Sequence, residues 1–251
     1  EKMKKLPLNK KKCKKLHIGK DNNLCPDLKA HDEKYLGDQI SRFCDNKLNI
    51  KDRKGKGIGI ISQIMSLLDD ICLGQYYFGA AIRLREAYLV NGILFNSEVW
   101  YNMKETDIRE LEELDETLLR KILKAHSKTP LEALYLELGC LLLRYIIMAR
   151  RINFLHYLTN LNKNELLFKF FEAQMKNPTK CDWYLQVVQD LKDYDISTDL
   201  NKLTSFSKDS FKKLVKSKQE IAALKYLNNI KSEHSKLANL KYENIRTKNN
   251  N

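Results

Sequence analysis

Apolar residues recur at intervals of three and four along most of the chain, which is the spacing of one face of an α-helix. The clearest repeat predicts an amphipathic helix that ends at Gly74, with the apolar positions Ile60, Ile61, Ile64, Leu67, Leu68 and Ile71. A second repeat predicts the next helix, from Ala80 to Leu94. The pattern therefore predicts that helices dominate from residue 60 onward.

Further helices are predicted from apolar spacing together with residues typical of helix ends. A helix over 108–122 follows Thr106 as its cap. The stretch 129–132 (TPLE) has the form of a capping box with proline at the first helical position, and Gly139 separates this helix from one over 141–158. The remaining predicted helices are 165–176, ended by Asn177 and Pro178; 182–193, capped by Asp182; and a Lys-rich stretch over 206–242.

The residues before these helices have a different pattern. The stretches 12–18 and 34–40 are predicted to be short strands joined by a polar loop that contains Pro26, and 46–59 is predicted to be a basic, glycine-containing hinge. The chain as a whole is thus predicted to be mainly α, a multi-helix bundle with a small two-stranded β segment at the N-terminus. The predicted parts are the strand-containing 1–50, the bundle 51–200 and a Lys-rich tail 201–251 that is helical or partly disordered.

Composition supports a helical protein. Only 9 of the 251 residues are glycine and 4 are proline, well below the usual share of these two residues. Barrels, sandwiches and glycine-rich nucleotide folds use glycine in their turns, so they are disfavoured. No signal peptide is visible, and no apolar run approaches the roughly 18–20 residues of a membrane span. We therefore expect an intracellular protein, cytoplasmic or nuclear, that does not enter a membrane and whose chain can begin within a longer protein.

Positive charge is concentrated at the two ends of the chain. The formal net charge is +13, of which residues 1–20 carry +8 and residues 201–251 carry another +8, so that the middle carries −3. Basic ends of this kind attract polyanions, and nucleic acid is the commonest partner because binding releases its counterions. The alternative is a tail that only increases solubility.

Cysteine and histidine spacing predicts no metal site. No two of the six cysteines lie closer than twelve residues, and the five histidines are scattered. Free thiols fit a reducing compartment. No nucleophile elbow, P-loop or HExxH motif occurs, and we expect no cofactor in this chain.

Three short motifs remain as candidates for chemistry. Asp69 and Asp70 are adjacent carboxylates, but neighbouring residues on a helix point about 100° apart, which favours an ordinary helix surface over a two-metal site. The stretch GKGIG at 55–59 is either a flexible basic contact to a nucleic-acid backbone or a plain hinge. One predicted helix carries three arginines that form either a basic stripe or, more simply, a solvated face: Arg144, Arg150 and Arg151.

The N-terminal residues and most of the chain after them resemble the reverse transcriptase of non-LTR retrotransposons. That family carries, just after its catalytic aspartate pair, a stretch of the form L-x-L-N-x-x-K-C-x-x-x-x-I-G, matched here by Leu6, Leu8, Asn9, Lys12, Cys13, Ile18 and Gly19. A YLG motif follows at 35–37. Downstream, segments such as NGILFNSEVWYNM and RYIIMARRINFLHYL resemble the thumb and post-thumb region, and the resemblance covers about residues 2–240.

The resemblance implies roles for particular residues. It implies that residues 1–50 are the end of a palm with a primer grip. It also implies that the helical bundle is a thumb with its extension. Lys12 matches a lysine that assists pyrophosphate departure in some polymerases, or it is one more lysine that faces phosphate. The nucleic-acid-binding residues that we expect on this basis are Lys10, Lys11, Lys12, Lys14, Lys15, Tyr35, Leu36, Gly37, Arg53, Lys54 and Lys56.

The resemblance also implies what this chain lacks. The aspartates that hold Mg²⁺ in the family belong upstream of Glu1, and phosphoryl transfer needs them, so this chain alone is expected to be inactive. Its implied partners are an RNA–DNA hybrid or a primed RNA template, and the upstream palm and fingers of the parent polypeptide. Two alternatives remain: a relic that only binds nucleic acid, and a helical interaction or scaffolding module without an enzymatic role.

Overall fold

The structure, a computed structural model, describes the backbone of 32–35 and 38–41, and residues 46–70, 74–100, 103–178 and 183–233, with side chains up to 229 apart from Gln75. The chain divides into two compact units, Glu1–Asp52 and Arg53–Asn251. The predicted strand at 12–18, the loop that contains Pro26 and the predicted cap Asp182 lie outside the described residues.

The first unit contains two short strands, β1 (Asp32–Tyr35) and β2 (Asp38–Ser41). They pair antiparallel, with Asp32 opposite Ser41 and Tyr35 opposite Asp38. Both strands fall on or beside the stretch 34–40, for which the sequence predicts a single strand. The predicted β segment as a whole stays a prediction, because its other half is not among the described residues.

The described part of the second unit is built from helices and the turns between them, and the prediction of a mainly α chain is confirmed. A π-helical turn, Arg85–Val90, joins α2 to α3, and 3-10 turns cover Gly74–Tyr76 and Ser97–Val99. The helices are α1 (Lys47–Asp70), α2 (Tyr77–Leu84), α3 (Asn91–Ile93), α4 (Glu105–Leu123), α5 (Leu131–Leu138), α6 (Leu143–Thr159), α7 (Leu166–Lys176), α8 (Trp183–Asp193), α9 (Leu200–Thr204) and α10 (Lys208–Glu233).

Helix α6 lies at the centre of the second unit. It contacts α4, α7, α8, α9 and α10, so its apolar residues face several directions instead of one stripe. Leu143, Ile152 and Leu155 on this helix are fully buried. Helix α10 packs along α6 through a series of buried residues four positions apart that begins at Phe211 and Val215. The predicted Lys-rich tail is therefore helical as far as Glu233, and its inner side belongs to the core.

Helix α1 begins at Lys47 and runs without a break through the rest of the stretch 46–59, so the predicted hinge is wrong. The backbone amides of the GKGIG motif belong to the helix, which also removes the reading of the motif as a loop that contacts phosphate. A glycine costs a helix about 1 kcal/mol relative to alanine. Here packing explains one of the three: a Cβ on Gly57 would lie 2.7 Å from Leu114 Cδ1 and 3.2 Å from Ile93 Cγ2. Only glycine lets α1 approach its neighbours so closely.

Two predicted helix caps are corrected by the structure. Helix α4 begins at Glu105, so Thr106 lies inside its first turn, and it is Asp107 Oδ2 that accepts from the Lys104 backbone N–H at 3.1 Å. Helix α5 begins at Leu131 with Pro130 in the cap position, and no side chain caps it. Proline has no side-chain acceptor to offer, so the expected capping box does not form.

Other predicted helix ends are confirmed. Gly139 takes a left-handed φ of +61° between α5 and α6, the conformation that glycine adopts at a helix end without a steric cost. Helix α7 ends at Lys176, immediately before Asn177 and Pro178. The helix predicted over 80–94 is present but contains the π-helical turn, in which one extra residue per turn places Arg85, Leu89 and Val90 in the core together.

Candidate nucleic-acid interface

Most of the residues predicted from the N-terminal motifs lie outside the described residues. Tyr35 is the last residue of β1, and the structure describes its backbone alone. The others outside the described ranges are Lys10, Lys11, Lys12, Lys14, Lys15, Leu36 and Gly37. The roles that the resemblance gives them stay predictions.

Arg53, expected to contact nucleic acid, is only 2% exposed. Its Nη1 donates to Gly92 O at 3.3 Å and its Nη2 to Phe95 O at 3.4 Å, and its guanidinium lies 5.4 Å from the centre of the Phe95 ring. The side chain satisfies carbonyls near the end of α3, which otherwise lack helical donors. Arg53 is therefore not accessible to a nucleic acid in this structure.

Lys54 and Lys56, the two lysines of the same predicted cluster, differ from Arg53 and from each other. Lys54 Nζ lies 3.3 Å from Glu110 Oε2 and 3.8 Å from Glu113 Oε2, so acids of α4 neutralise it. Lys56 is exposed. The three cations of 53–56 consequently do not form a shared basic surface.

The three arginines of α6 are neither a basic stripe nor a solvated face, and that prediction is wrong. Arg151 makes a bidentate pair with Asp190 of α8 at 2.6 and 2.9 Å, and both side chains are buried. Arg144 makes a bidentate pair with Glu112 of α4 at 2.9 and 2.6 Å. Arg150 donates to Leu94 O and, at 2.8 Å, to Asn91 Oδ1. Each arginine ties α6 to a different element.

A fourth arginine forms the most deeply buried polar cluster among the described residues. Arg85 donates to both carboxylate oxygens of Asp115 and, at 3.0 Å, to Leu141 O, while Tyr135 Oη donates to Asp115 Oδ2 at 2.8 Å. Burial opposes the charged form of Arg85, but the Asp115 carboxylate outweighs it and raises the pKa of Arg85 above its ordinary value. Burial, with the same carboxylate, also raises the pKa of Tyr135 well above its usual range.

The cluster has the chemistry of a structural ion pair. Cys140, a free and buried thiol, lies beside it, and burial raises its pKa to about 11, so the thiol is neutral at physiological pH. A neutral thiol is a poor nucleophile. The other five cysteines are outside the described residues. Nothing in this cluster is both ionised and accessible, so it stabilises the fold and offers no catalytic group.

A group of exposed positive charges lies at the start of α10. Lysines at four-residue intervals, with one more beside them, lie on the first turns of the helix next to the buried Phe211 and Val215, and every one of them is exposed. They will be called the lysine surface: Lys208, Lys212, Lys213 and Lys216. Within the described residues no carboxylate pairs with any of these four, although Asp209 lies on the same side of the helix. Lys218, by contrast, pairs with Asp195 at 2.8 Å.

One end of the lysine surface borders a cavity of about 310 Å³ between α6 and the start of α10. We refer to it as the α6–α10 cavity. Its lining residues include two aromatic residues, Tyr157 and Phe206, and two cationic ones, Lys208 and Lys212. Its other lining residues are Asn153, His156, Asn160 and Ser207.

Asp69 and Asp70, at the end of α1, are exposed helix-surface residues, as predicted. Within the residues that the structure describes, no three His, Cys, Asp or Glu side chains come close enough to hold a metal ion. Among the helices of the same residues, none combines the length and the apolar character that crossing a bilayer requires.

No protein-family model, curated protein or solved structure matches this chain. Its function is therefore inferred from the described side chains and from the sequence motifs.

The lysine surface and the cavity were not singled out by sequence reasoning, for different reasons. The lysine surface had a usable signal, because Lys212 and Lys216 each follow an apolar residue of a four-residue repeat, Phe211 and Val215, and Lys208 precedes them at the same spacing. The cavity had none. Its walls come from α6 and from the start of α10, about fifty residues apart in the sequence, and only the packing of these helices creates it.

Proposed function

We propose that this chain is the nucleic-acid-binding C-terminal portion of a retroelement RNA-directed DNA polymerase, and that the lysine surface of α10 is one of the places where it holds an RNA–DNA hybrid or a primed RNA template. The observation that carries the proposal is the contrast between cations in the second unit. Its arginines are largely bonded to carboxylates and carbonyls, whereas the four lysines of the lysine surface are exposed and without a carboxylate partner among the described residues.

Lysines arranged in this way suit a phosphate backbone better than a base sequence. An ammonium group on a flexible stem attracts phosphate as a point charge and carries no pattern of donors that would read base edges. Binding would then follow duplex shape and charge, as expected of a polymerase thumb. The four-residue spacing along α10 places successive ammonium groups about one helical turn, roughly 5–6 Å, apart.

The motifs at 6–19 and 35–37 support the assignment to a non-LTR reverse transcriptase. In that family they follow the aspartate pair that holds Mg²⁺, and the helical segments that resemble a thumb come after them. The helical second unit, with α6 at its centre, is compatible with a thumb and its extension. The polymerase reaction would need the upstream palm and fingers, to which the first unit would belong.

The test is a salt titration of binding to a fluorescein-labelled RNA–DNA hybrid. The wild-type chain should bind with an affinity that falls steeply between about 50 and 200 mM salt, because each neutralised phosphate releases counterions. Replacing the four lysines (Lys208→Ala, Lys212→Ala, Lys213→Ala and Lys216→Ala) should weaken binding and reduce the slope of log K against log salt by about 0.9 for each phosphate that is no longer neutralised.

The matched control removes the same charge elsewhere. Lys121, Lys128, Lys163 and Lys169 are also exposed and lie on other elements of the second unit. Their replacement by alanine lowers the net charge equally, so it should change the slope little if α10 binds the hybrid. Equal effects of the two variants would mean that only total charge matters, and the lysine surface would then be withdrawn.

One observation favours the alternative, a helical interaction module without an enzymatic role. Leu166 and Phe170 of α7 are 70% and 62% exposed, and Leu167 lies beside them. Contiguous apolar side chains on a surface are typical of protein contacts. This alternative predicts weak hybrid binding at physiological salt and no difference between the two lysine variants, so the same titration separates the two functions.

A further inference from the structure

The α6–α10 cavity combines two kinds of residue. Tyr157 and Phe206 are aromatic lining residues, and Lys208 and Lys212, which also line it, belong to the lysine surface. No acid is among its lining residues. Each of these features places a requirement on the ligand.

The aromatic rings are accessible and held in place. Tyr157 is 52% exposed, and its ring stacks on Phe154 with 5.9 Å between ring centres and an interplanar angle of 23°. Phe206 is 38% exposed, and the centre of its ring lies 6.0 Å from that of the Phe211 ring. Rings fixed in this way can stack on a flat ligand without losing much conformational freedom. A nucleobase is such a ligand, and stacking on an aromatic side chain does not depend on which base it is.

The cationic lining residues favour a ligand that carries an anion. Lys208 and Lys212 lie one helical turn apart and suit a phosphate. The His156 Nε2 atom lies 3.1 Å from Phe206 O, a distance at which the ring N–H donates to that carbonyl. Inorganic phosphate would use the two lysines and leave the aromatic residues uncovered, whereas a nucleotide can use both.

The size of the cavity limits the ligand further. A volume of about 310 Å³ is at the lower end of the range for small-molecule sites, which is enough for one nucleotide and far too small for a duplex. A duplex would stay on the lysine surface outside. A nucleotide could enter only where the strand is unpaired.

We propose that the α6–α10 cavity binds one unpaired nucleotide of the nucleic acid held by the lysine surface, with its base against Tyr157 and Phe206 and its phosphate at Lys208 and Lys212. This proposal rests on the proposed function, because the lysine surface must first bring the strand to the cavity. Its ligand is a single-stranded extension of a hybrid, such as the template beyond the primed region.

The experiment compares two probes on the full chain: a blunt RNA–DNA hybrid and the same hybrid with a short single-stranded tail. The wild-type chain should bind the tailed hybrid about tenfold more tightly. Tyr157→Ala should abolish this preference and leave the affinity for the blunt hybrid unchanged, because stacking on an aromatic ring contributes only to the unpaired base. Tyr88→Ala is the matched control: Tyr88 is 54% exposed and lies in the π-helical turn, outside the cavity lining.

A second measurement needs no variant. A tail that carries 5-iodouracil should crosslink on irradiation, and mass spectrometry should place the crosslink on the peptide that contains Tyr157 or Phe206. Crosslinks confined to other peptides would overturn the proposal even if Tyr157→Ala fails to fold.

The outcomes separate the two proposals. Steep, salt-dependent binding of both hybrids with equal affinity would leave the proposed function standing and overturn the cavity site. Binding of neither hybrid at low salt would overturn both. A tail preference that Tyr157→Ala and Tyr88→Ala reduce equally would assign the tail to some other surface and also overturn the cavity site.

Discussion

Arginine and lysine have separate tasks among the described residues. A guanidinium group is planar, is weakly hydrated and matches a carboxylate with two parallel hydrogen bonds, so it can be buried at moderate cost. Arg85, Arg144 and Arg151 each make such a pair with an acid on another helix. An ammonium group is compact and strongly hydrated, and the four residues of the lysine surface keep theirs in solvent.

The buried pair of Arg85 and Asp115 gives a direct test at the residue scale. Asp115→Asn removes the negative charge and leaves a guanidinium buried without a counter-charge, which costs about 3–5 kcal/mol. We expect this loss in the free energy of unfolding, measured by urea denaturation. The control Asp69→Asn changes an exposed carboxylate of α1 and should stay within about 0.5 kcal/mol. A loss below about 1 kcal/mol for Asp115→Asn would mean that the pair is not formed in solution.

The thiol of Cys140 should be unreactive in the folded chain. Its pKa is raised to about 11, so only about one thiol in a thousand is ionised at pH 8, and the side chain is buried as well. Peptide-level mass spectrometry after iodoacetamide treatment should find Cys140 unmodified at pH 8 and modified in urea. Because the folded-state pKa lies above the unfolded value, the neutral thiol stabilises the fold fully below about pH 9, and this contribution is lost as pH rises toward 11. Rapid labelling without urea would contradict the burial.

Residue partners were the least predictable part of the molecule. Arg151 and Asp190 are 39 positions apart, and Arg85 and Asp115 are 30 apart. Nothing in the local sequence separates an arginine that will be buried from one that stays in solvent. The prediction of a solvated face for Arg144, Arg150 and Arg151 followed composition alone, and the helices that pack on all sides of α6 made it wrong.

At the scale of elements, helix propensity and packing disagree in α1. Gly55, Gly57 and Gly59 each weaken the helix intrinsically, which favoured the prediction of a hinge. The helix persists because it packs tightly against α3 and α4: Gly57 meets Leu114 and Ile93, and a Cβ on Gly92 would lie 2.7 Å from Ile60 Cδ1. Gly57 on α1 and Gly92 on α3 both lack a side chain at this contact, so the two helices can lie close together.

The three glycines of α1 therefore predict opposite effects of the same substitution. Gly55→Ala and Gly59→Ala meet no atom within 4 Å and should raise the free energy of unfolding by about 0.5–1 kcal/mol. Gly57→Ala forces the buried Leu114 and Ile93 to move, so it should be less stable than Gly55→Ala by at least about 1 kcal/mol. Urea denaturation of the three variants measures this. Equal stabilisation by all three would show that α1 is not packed closely at Gly57.

Helix α10 should behave as part of the core although its sequence is Lys-rich. Phe211 is fully buried and stacks on His156 with 4.2 Å between ring centres. Phe211→Ala should cost about 3–5 kcal/mol of unfolding free energy, whereas the adjacent Lys212→Ala should stay within about 0.5 kcal/mol. Thermal or urea unfolding followed by circular dichroism can compare them. A small effect of Phe211→Ala would mean that α10 is detached in solution.

For the whole molecule, sequence reasoning predicted the class of the second unit well and the ends of many helices closely. Apolar periodicity identified the helices because each one buries a face, and Gly139 and Asn177–Pro178 marked real helix ends. The π-helical turn and the buried ion pairs were not predictable, since both depend on how the helices meet. The reverse-transcriptase assignment is a separate prediction, made from motifs and not from periodicity.

Hybrid binding should also stabilise the whole chain. A ligand that binds only the folded state adds about 2.7 kcal/mol when its concentration is a hundred times its Kd, which for a chain of this size raises the unfolding temperature by several degrees. We expect this rise with an RNA–DNA hybrid at low salt, measured by differential scanning fluorimetry. It should disappear at high salt and in the variant without the lysine surface. A shift that survives both changes would place binding elsewhere on the molecule.

Because the buried arginines and the exposed lysines have different roles, substitutions at the two kinds of residue have different consequences during evolution. Substitutions at Lys208, Lys212, Lys213 or Lys216 alter the charge offered to a partner and leave the ion pairs of Arg85 and Arg151 untouched. A related chain that no longer binds a polyanion could lose its exposed charge by drift and still fold. The number of exposed lysines kept on α10 across related copies would then record selection on binding, and the buried arginines would record selection on folding.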